Sequence, residues 1–223
     1  MDLNFCKKAA AEKALSFIQD GMTVGLGTGS TTAFFIEKLI EKCRLGLKIQ
    51  AIATSERSLD QARAGGIPLT DINTLQFLDI YVDGADEIDS QKRMIKGGGG
   101  ALLREKIAAH MSRKVIIIID ESKLVQKLGQ RPLPVEIIPF GSTAIIHQLH
   151  LLGYKGVLRL SPNNAPYITD NHNFIYDVQL SDDNIERAHA QITQIPGVVE
   201  TGFFPSLTGP VIIGFYDGRV IVQ

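Results

Sequence analysis

Only two of the 223 residues are cysteines, Cys6 and Cys43, and they are too far apart to form the close pair of a metal or redox motif. They read as reduced thiols used in packing. There is no surplus of charge: 23 Lys+Arg stand against 24 Asp+Glu. That balance argues against the broad basic surface of a nucleic-acid partner. Long apolar runs are also missing. Val115 to Ile119 is a quarter of the roughly 20 residues that a helix needs to cross a bilayer, so no membrane partner is expected. Met1-Asp2-Leu3-Asn4 has neither the basic start nor the apolar stretch of a secretory leader, which predicts a cytoplasmic protein. The histidines are scattered. His147 and His150 are spaced to share a helix face but have no third ligand nearby, so no metal site is expected. Internal repeats and low-complexity segments are lacking. The length suffices for one large domain or two small ones.

What is present alternates. Residues 4–18 read as a helix, 22–26 as a strand, 32–43 as a helix with Phe34, Phe35, Leu39 and Ile40 at core spacing, and 48–53 as a strand. A helix at 59–64 closes at Gly65-Gly66, and strands follow at 77–82 and 115–119. Apolar strands alternating with helices predict a parallel sheet covered on both faces, a Rossmann-like α/β domain. Each strand runs out into Gly, Ser, Thr, Asp or Lys, and ligands of open α/β sheets bind at the carboxyl ends of strands. The pattern changes after residue 128. Strands at 133–140, 156–160, 174–180 and 197–203, with helices at 143–152 and 183–194, give the order β-α-β-β-α-β of a ferredoxin-like α+β domain. Residues 210–222 read as two short strands around Asp217-Gly218 that return to the first domain. The expected division is 1–128 plus 204–223 for the Rossmann-like catalytic domain and 129–203 for the second.

Three loops carry chemistry. Lys96-Gly97-Gly98-Gly99-Gly100 exposes bare backbone amides beside a lysine and then enters a helix, a suitable cradle for a phosphate. Gly25-Leu26-Gly27-Thr28-Gly29-Ser30-Thr31 joins a strand to a helix. A dinucleotide fingerprint would need glycine at Ser30 and an acid near Thr54 and Ser55; a Walker loop would need a lysine. Glycines among hydroxyls suit a sugar or a phosphate better. Asp83-Gly84-Ala85-Asp86-Glu87-Ile88-Asp89 packs four acids into seven residues at a strand end, without the spacing of a calcium loop. It reads either as a solvated acidic turn or, with Asp83 and Asp86, as part of a site.

Glu105 stands out by its neighbours. On a helix starting near Gly100, positions 101, 102, 105, 108 and 109 share a face: Ala101, Leu102, Glu105, Ala108 and Ala109. A carboxylate alone on an apolar face is a candidate general base, since desolvation moves such a group towards neutral pKa. A second apolar face, Leu103, Ile107 and Met111, leaves open that Glu105 points outward. Lys96 and Lys123 are the cations near these loops, placed to steady an oxyanion.

These motifs, with Ala-Thr-Ser-Glu-Arg-Ser at 53–58, Asp-Glu-Ser-Lys at 120–123, Leu-Pro-Val-Glu-Ile-Ile-Pro-Phe at 133–140 and Thr-Asp-Asn-His-Asn-Phe-Ile-Tyr-Asp at 169–177, resemble the type A ribose-5-phosphate isomerases in order along nearly the whole chain. The resemblance implies interconversion of ribose 5-phosphate and ribulose 5-phosphate through an enediol(ate), in the non-oxidative pentose phosphate pathway, with no metal or organic cofactor. It implies Glu105 as the proton-transfer base, Asp83 in ring opening and Lys96 at the enediolate. It implies substrate binding by Thr28, Gly29, Ser30, Thr31, Asp83, Gly84, Ala85, Asp86, Lys96, Gly97, Gly98, Gly99 and Lys123, in a homodimer or homotetramer. The chain departs from the family pattern at His172, where glycine is usual, and at Thr201-Gly202-Phe203-Phe204 and Thr208-Gly209-Pro210. Two other readings stand beside this one: a non-catalytic sugar-phosphate sensor, which needs the cradle but not Glu105, and a nucleotide or acyl-CoA-type transferase, which lacks its fingerprint at Ser30.

Overall fold

The structure is a computed structural model that describes residues 3–180, 184–205 and 209–223, and element counts refer to these. In chain order the helices are α1 Leu3–Ala14, α2 Ser30–Arg44, α3 Glu56–Gly65, α4 Leu102–His110, α5 Ser142–Leu151 and α6 Ile185–Ile192. The strands are β1 Thr23–Leu26, β2 Gln50–Ala53, β3 Ile80–Asp83, β4 Glu87–Ile88, β5 Met94–Ile95, β6 Val115–Asp120, β7 Leu133–Ile137, β8 Gly156–Leu158, β9 Phe174–Val178, β10 Val198–Thr201, β11 Phe203–Phe204, β12 Val211–Gly214 and β13 Val220–Val222. The expected helix start at Asp183 and the family departure at Thr208 lie outside the described residues. No helix among the described residues is long and apolar enough to cross a membrane.

The chain forms two compact units, one from the described parts of 1–85, 104–124 and 207–223, the other from 86–103 and 125–206. The first holds a six-stranded sheet ordered β13-β12-β6-β3-β1-β2. Its strands are parallel except β13, which pairs antiparallel with β12 as a hairpin. All six residues of β6 are buried, as a strand covered on both faces requires. Phe35, Ile36 and Leu39 of α2 pack with Val24, Leu26, Ile116 and Ile118 of the strands. Helix α1 buries only small residues, Cys6, Ala10, Ala11 and Ala14, which lets its backbone come close to the sheet. Gly214 of β12 answers it, since a Cβ there would run into the Cys6 carbonyl. Helix α3 is bounded as its sequence dictates: the Ser55 hydroxyl accepts from the Ser58 amide, and Gly66 closes the helix at φ 79°. The order β2-β1-β3-β6-β12 reverses direction between β1 and β3. That is the switch point at which open α/β sheets hold ligands.

The second unit carries an antiparallel sheet ordered β10-β7-β9-β8, crossed over by α5 and α6. This is the ferredoxin-like arrangement, with Leu133, Val135, Ile137, Leu149, Tyr176, Val178 and Ile192 in its core. The strand expected over 197–203 is two. β10 pairs with β7, and after Gly202 the two residues of β11 join β5 and β4 in a three-stranded sheet. Gly202 lets the chain change sheets because a Cβ there would strike the Lys96 carbonyl, while its amide donates to Pro134 O at 2.7 Å. The segment 169–173 is pinned from β7. Glu136, fully buried, accepts through Oε1 from Thr169 Oγ1 at 3.0 Å, Asn171 Nδ2 at 3.2 Å and Asn173 Nδ2 at 2.9 Å. His172 sits between them at φ 62°, the left-handed region, which explains why glycine suits this position in the family.

Candidate active site

In the first unit the switch point is built from β1, β3 and the start of α2. Asp83 ends β3 fully buried. Its Oδ1 accepts the Thr28 amide at 3.0 Å and the Gly84 amide at 2.7 Å, and its Oδ2 accepts the Tyr81 hydroxyl. Thr28 Oγ1 lies 3.2 Å from Thr54 Oγ1 and 2.9 Å from Ser55 Oγ, and Ser58 Oγ donates to Gly27 O at 2.7 Å. A chain of hydroxyls thus fixes the loop from behind. The first amides of α2, at Ser30 and after, have no turn before them to bond and make a positively polarised helix start. Gly29, at φ 121°, turns the backbone into it.

The glycines of this loop have a more particular purpose than flexibility. Gly25 is opposite Tyr81 in the β1–β3 register, and a Cβ on Gly25 would lie 2.7 Å from the tyrosine ring. A Cβ on Gly27 would collide with the Asp83 carboxylate. Gly27→Ala is therefore expected to cost about 1–3 kcal/mol of stability by overpacking and to lower turnover at least about tenfold by displacing the carboxylate. Thermal unfolding and a steady-state assay on the purified variant check this. Wild-type values in both would show that Asp83 has room to spare.

Sequence reasoning missed Lys7. Its Nζ donates to Ser30 Oγ at 2.9 Å, which puts a cation from α1 at the first residue of α2. Nothing in the local pattern of α1 marks Lys7 apart from its neighbour Lys8, which lies over the Phe34 ring at 5.1 Å. Lys123 ends a short 3-10 turn, Glu121–Lys123, after β6 and is half-buried. Glu105 lies on α4, 3 % exposed, on the face shared with Ala101, Leu102, Ala108 and Ala109, all of them buried. Ile107 is half exposed, so the alternative apolar face is the outer one.

In the second unit the acidic run disperses into separate tasks. Asp86 Oδ2 accepts the Gly98 amide at 2.7 Å. Glu87, buried, accepts the Gly129 amide at 2.8 Å and that of Arg131. Asp89 takes the Gln91 and Arg93 amides and, at 2.7 Å, Arg93 Nε. The solvated-turn reading is corrected for these residues, because each carboxylate is a fixed structural acceptor. Lys96 is 3 % exposed and lies over the Phe204 ring at 5.4 Å.

The glycine run after Lys96 is braced from the unit's own sheet. Arg159 Nη1 donates to Gly97 O at 2.9 Å and Gly98 O at 3.2 Å, while its other nitrogens hold Asp177 at 2.8 and 2.5 Å. Tyr167 donates to Gly99 O at 3.0 Å, and burial pushes its phenol above the ordinary pKa, so it stays a donor. Gly97 at φ 103° and Gly100 at φ 78° take backbone conformations that side chains resist, and a Cβ on Gly98 would lie 2.8 Å from Asp86. The helix begins at Leu102, later than the Gly100 start that the sequence suggests. A cavity of about 230 Å³ adjoins this run, with Asp86, Gly98, Arg131, Arg159 and Asp177 among its lining.

A hydroxyl-lined helix start at the switch point, a buried strand-end carboxylate, and a second carboxylate buried on an alanine face define a class: an aldose–ketose isomerase of sugar phosphates. The comparisons agree. The family model for ribose 5-phosphate isomerase A (phosphoriboisomerase A) matches residues 50–218. The chain is 52% identical over 214 residues to the ribose-5-phosphate isomerase A of Protochlamydia amoebophila, covering 95% of this chain and 92% of that one. It is 46% identical to that of Parvibaculum lavamentivorans, covering 97% of each. Among solved structures, the ribose 5-phosphate isomerase of Plasmodium falciparum matches with a TM-score of 0.94 at 38% identity, over 99% of this chain and 98% of that one. A D-ribose-5-phosphate isomerase in complex with phospho-erythronic acid matches with a TM-score of 0.94 at 40% identity over the whole of both chains. The chain belongs to the ribose-5-phosphate isomerase A family, and it interconverts ribose 5-phosphate and ribulose 5-phosphate.

Proposed function

We propose that Glu105 is the base of this isomerisation, and the observation that carries the reading is its burial on the apolar face of α4. With the sugar open as the C1 aldehyde, Glu105 takes the C2 proton and returns it to C1. The hydroxyl proton on O2 passes to O1, so the enediol(ate) collapses to the ketone without any change in composition. Lys96 steadies the negative charge that develops on oxygen. Asp83 accepts the anomeric hydroxyl proton as the furanose opens, the ring oxygen being protonated in return. Thr28, Gly29, Ser30 and Thr31 receive the phosphate at the start of α2, with Lys7 and Lys123 as its counter-charges. Asp86, Gly84, Ala85 and the run Gly97, Gly98 and Gly99 receive the sugar hydroxyls, with the Gly98 amide holding Asp86 in place. Phospho-erythronic acid, seen on a relative, supports this reading: it joins a carboxylate to a phosphate, the charge pattern of an enediolate phosphate.

The reading includes a cytoplasmic location and a homodimer or homotetramer, the association being supported by exposed apolar side chains such as Phe140, Leu151 and Val157 in the second unit. The decisive experiment is a coupled assay with ribose 5-phosphate run beside other pentose and hexose phosphates. The expected result is turnover on ribose 5-phosphate at least about a hundredfold above the rest, since buried polar groups left unpaired by a wrong sugar are costly. Equal turnover on hexose phosphates would overturn the assignment of Asp86 and the glycine run to this sugar's hydroxyls.

A further inference from the structure

Asp83 and Tyr81 lie two residues apart on β3, so their side chains leave the same face of the sheet. The tyrosine is fully buried and runs along the strand to place its hydroxyl on Asp83 Oδ2. The Thr54 hydroxyl is its other hydrogen-bonding neighbour, and the charge of Glu105 acts on it as well. Two glycines make room for this pair: Gly25 lies opposite Tyr81 in the register, and Gly27 faces Asp83. Burial first, then the charges of Asp83 and Glu105, push the Tyr81 hydroxyl well above the ordinary tyrosine pKa. It therefore remains a proton donor at any pH where the enzyme works, with a charged acceptor at hand.

We infer that Tyr81 is a positioning residue for ring opening: its hydroxyl fixes the Asp83 carboxylate in the orientation that receives the anomeric proton, and Gly25 in β1 and Gly27 just after it leave the room that seats the two side chains. This rests on the reading of Asp83 given above and deepens it. Oδ1 of Asp83 is held by two backbone amides, so its place is set by the main chain. Oδ2 is oriented by the side chain of Tyr81, and the torsion of the carboxylate depends on both. Tyr81→Phe keeps the buried ring and removes only the hydroxyl that is bonded to Asp83 Oδ2. The step lost is ring opening, while carbon–proton transfer on an open-chain sugar continues.

Ribulose 5-phosphate separates the two steps. Its 5-oxygen is esterified, so it cannot close to a furanose and needs no ring opening before proton transfer at C1. For Tyr81→Phe, turnover of ribose 5-phosphate is expected to fall roughly tenfold to a hundredfold, the loss of one hydrogen bond to a charged group. Incorporation of deuterium from D2O at C1 of ribulose 5-phosphate, followed by proton NMR, is expected to stay within about threefold of wild type, which also reports a folded enzyme. An equal fall in both rates, or no fall in either, would overturn the inference. Asp83→Asn is measured in parallel. If it shows the selective loss and Tyr81→Phe does not, the positioning role alone is wrong. If Asp83→Asn leaves the ratio of the two rates at the wild-type value, the ring-opening role of Asp83 is wrong and the inference falls with it.

Discussion

Glu105→Gln is expected to bind ribose 5-phosphate with a near wild-type Kd and to turn it over about 10²–10⁴-fold more slowly. Glutamine has the same size and can stay on the buried face formed by Ala101, Leu102, Ala108 and Ala109, so the packing of α4 is preserved. What it lacks is a lone pair basic enough to take a proton from carbon. The phosphate and hydroxyl contacts assigned to other loops remain, and binding survives. Calorimetry gives the Kd and the coupled assay the rate. Turnover within about tenfold of wild type would remove Glu105 from proton transfer.

Lys96→Met is expected to lower kcat by about 10²–10³-fold, the usual cost of one donor to a developing oxyanion. Lys96 is 3 % exposed with its ammonium over the Phe204 ring, so methionine keeps the stem and its packing and removes only the charge. The pattern of the loss is informative. A fall in kcat with KM unchanged places the charge at the transition state. A rise in KM alone would recast Lys96 as a ground-state anchor. An unchanged rate would exclude it from the mechanism.

The sequence made the first unit legible because its signals are long. β6 is apolar from Val115 to Ile119 before it ends in Asp120, α2 follows a glycine loop, and α4 carries a single acid on an alanine face. What was hidden is of three kinds. Strands of two residues, β4, β5 and β11, have no periodicity to read. Glycine has several meanings written with one letter. Gly29 and Gly97 are needed for positive φ, whereas Gly25 and Gly27 are needed for the bulk of Tyr81 and Asp83 on the next strand. Only coordinates separate backbone freedom from lateral room. The last kind is contact between residues far apart in the chain, such as Lys7 with Ser30 or Glu136 with Asn173. The acidic run shows the same limit: its composition suggested one cluster, while the fold assigns each carboxylate its own donors.

The braces on the glycine run tie its conformation to strand pairing. Val157 lies across from Asp177 in the β8–β9 ladder, and Arg159 follows one residue beyond the paired Leu158. Side chains alternate faces, so a slip of β8 by a single residue would carry Arg159 to the opposite side of the sheet. Gly97 and Gly98 would lose their shared donor, although neither they nor any residue assigned to catalysis had changed. The edge strand β8 thus behaves as a vernier, and insertions or deletions between α5 and β8 are mutations of the glycine loop at a distance.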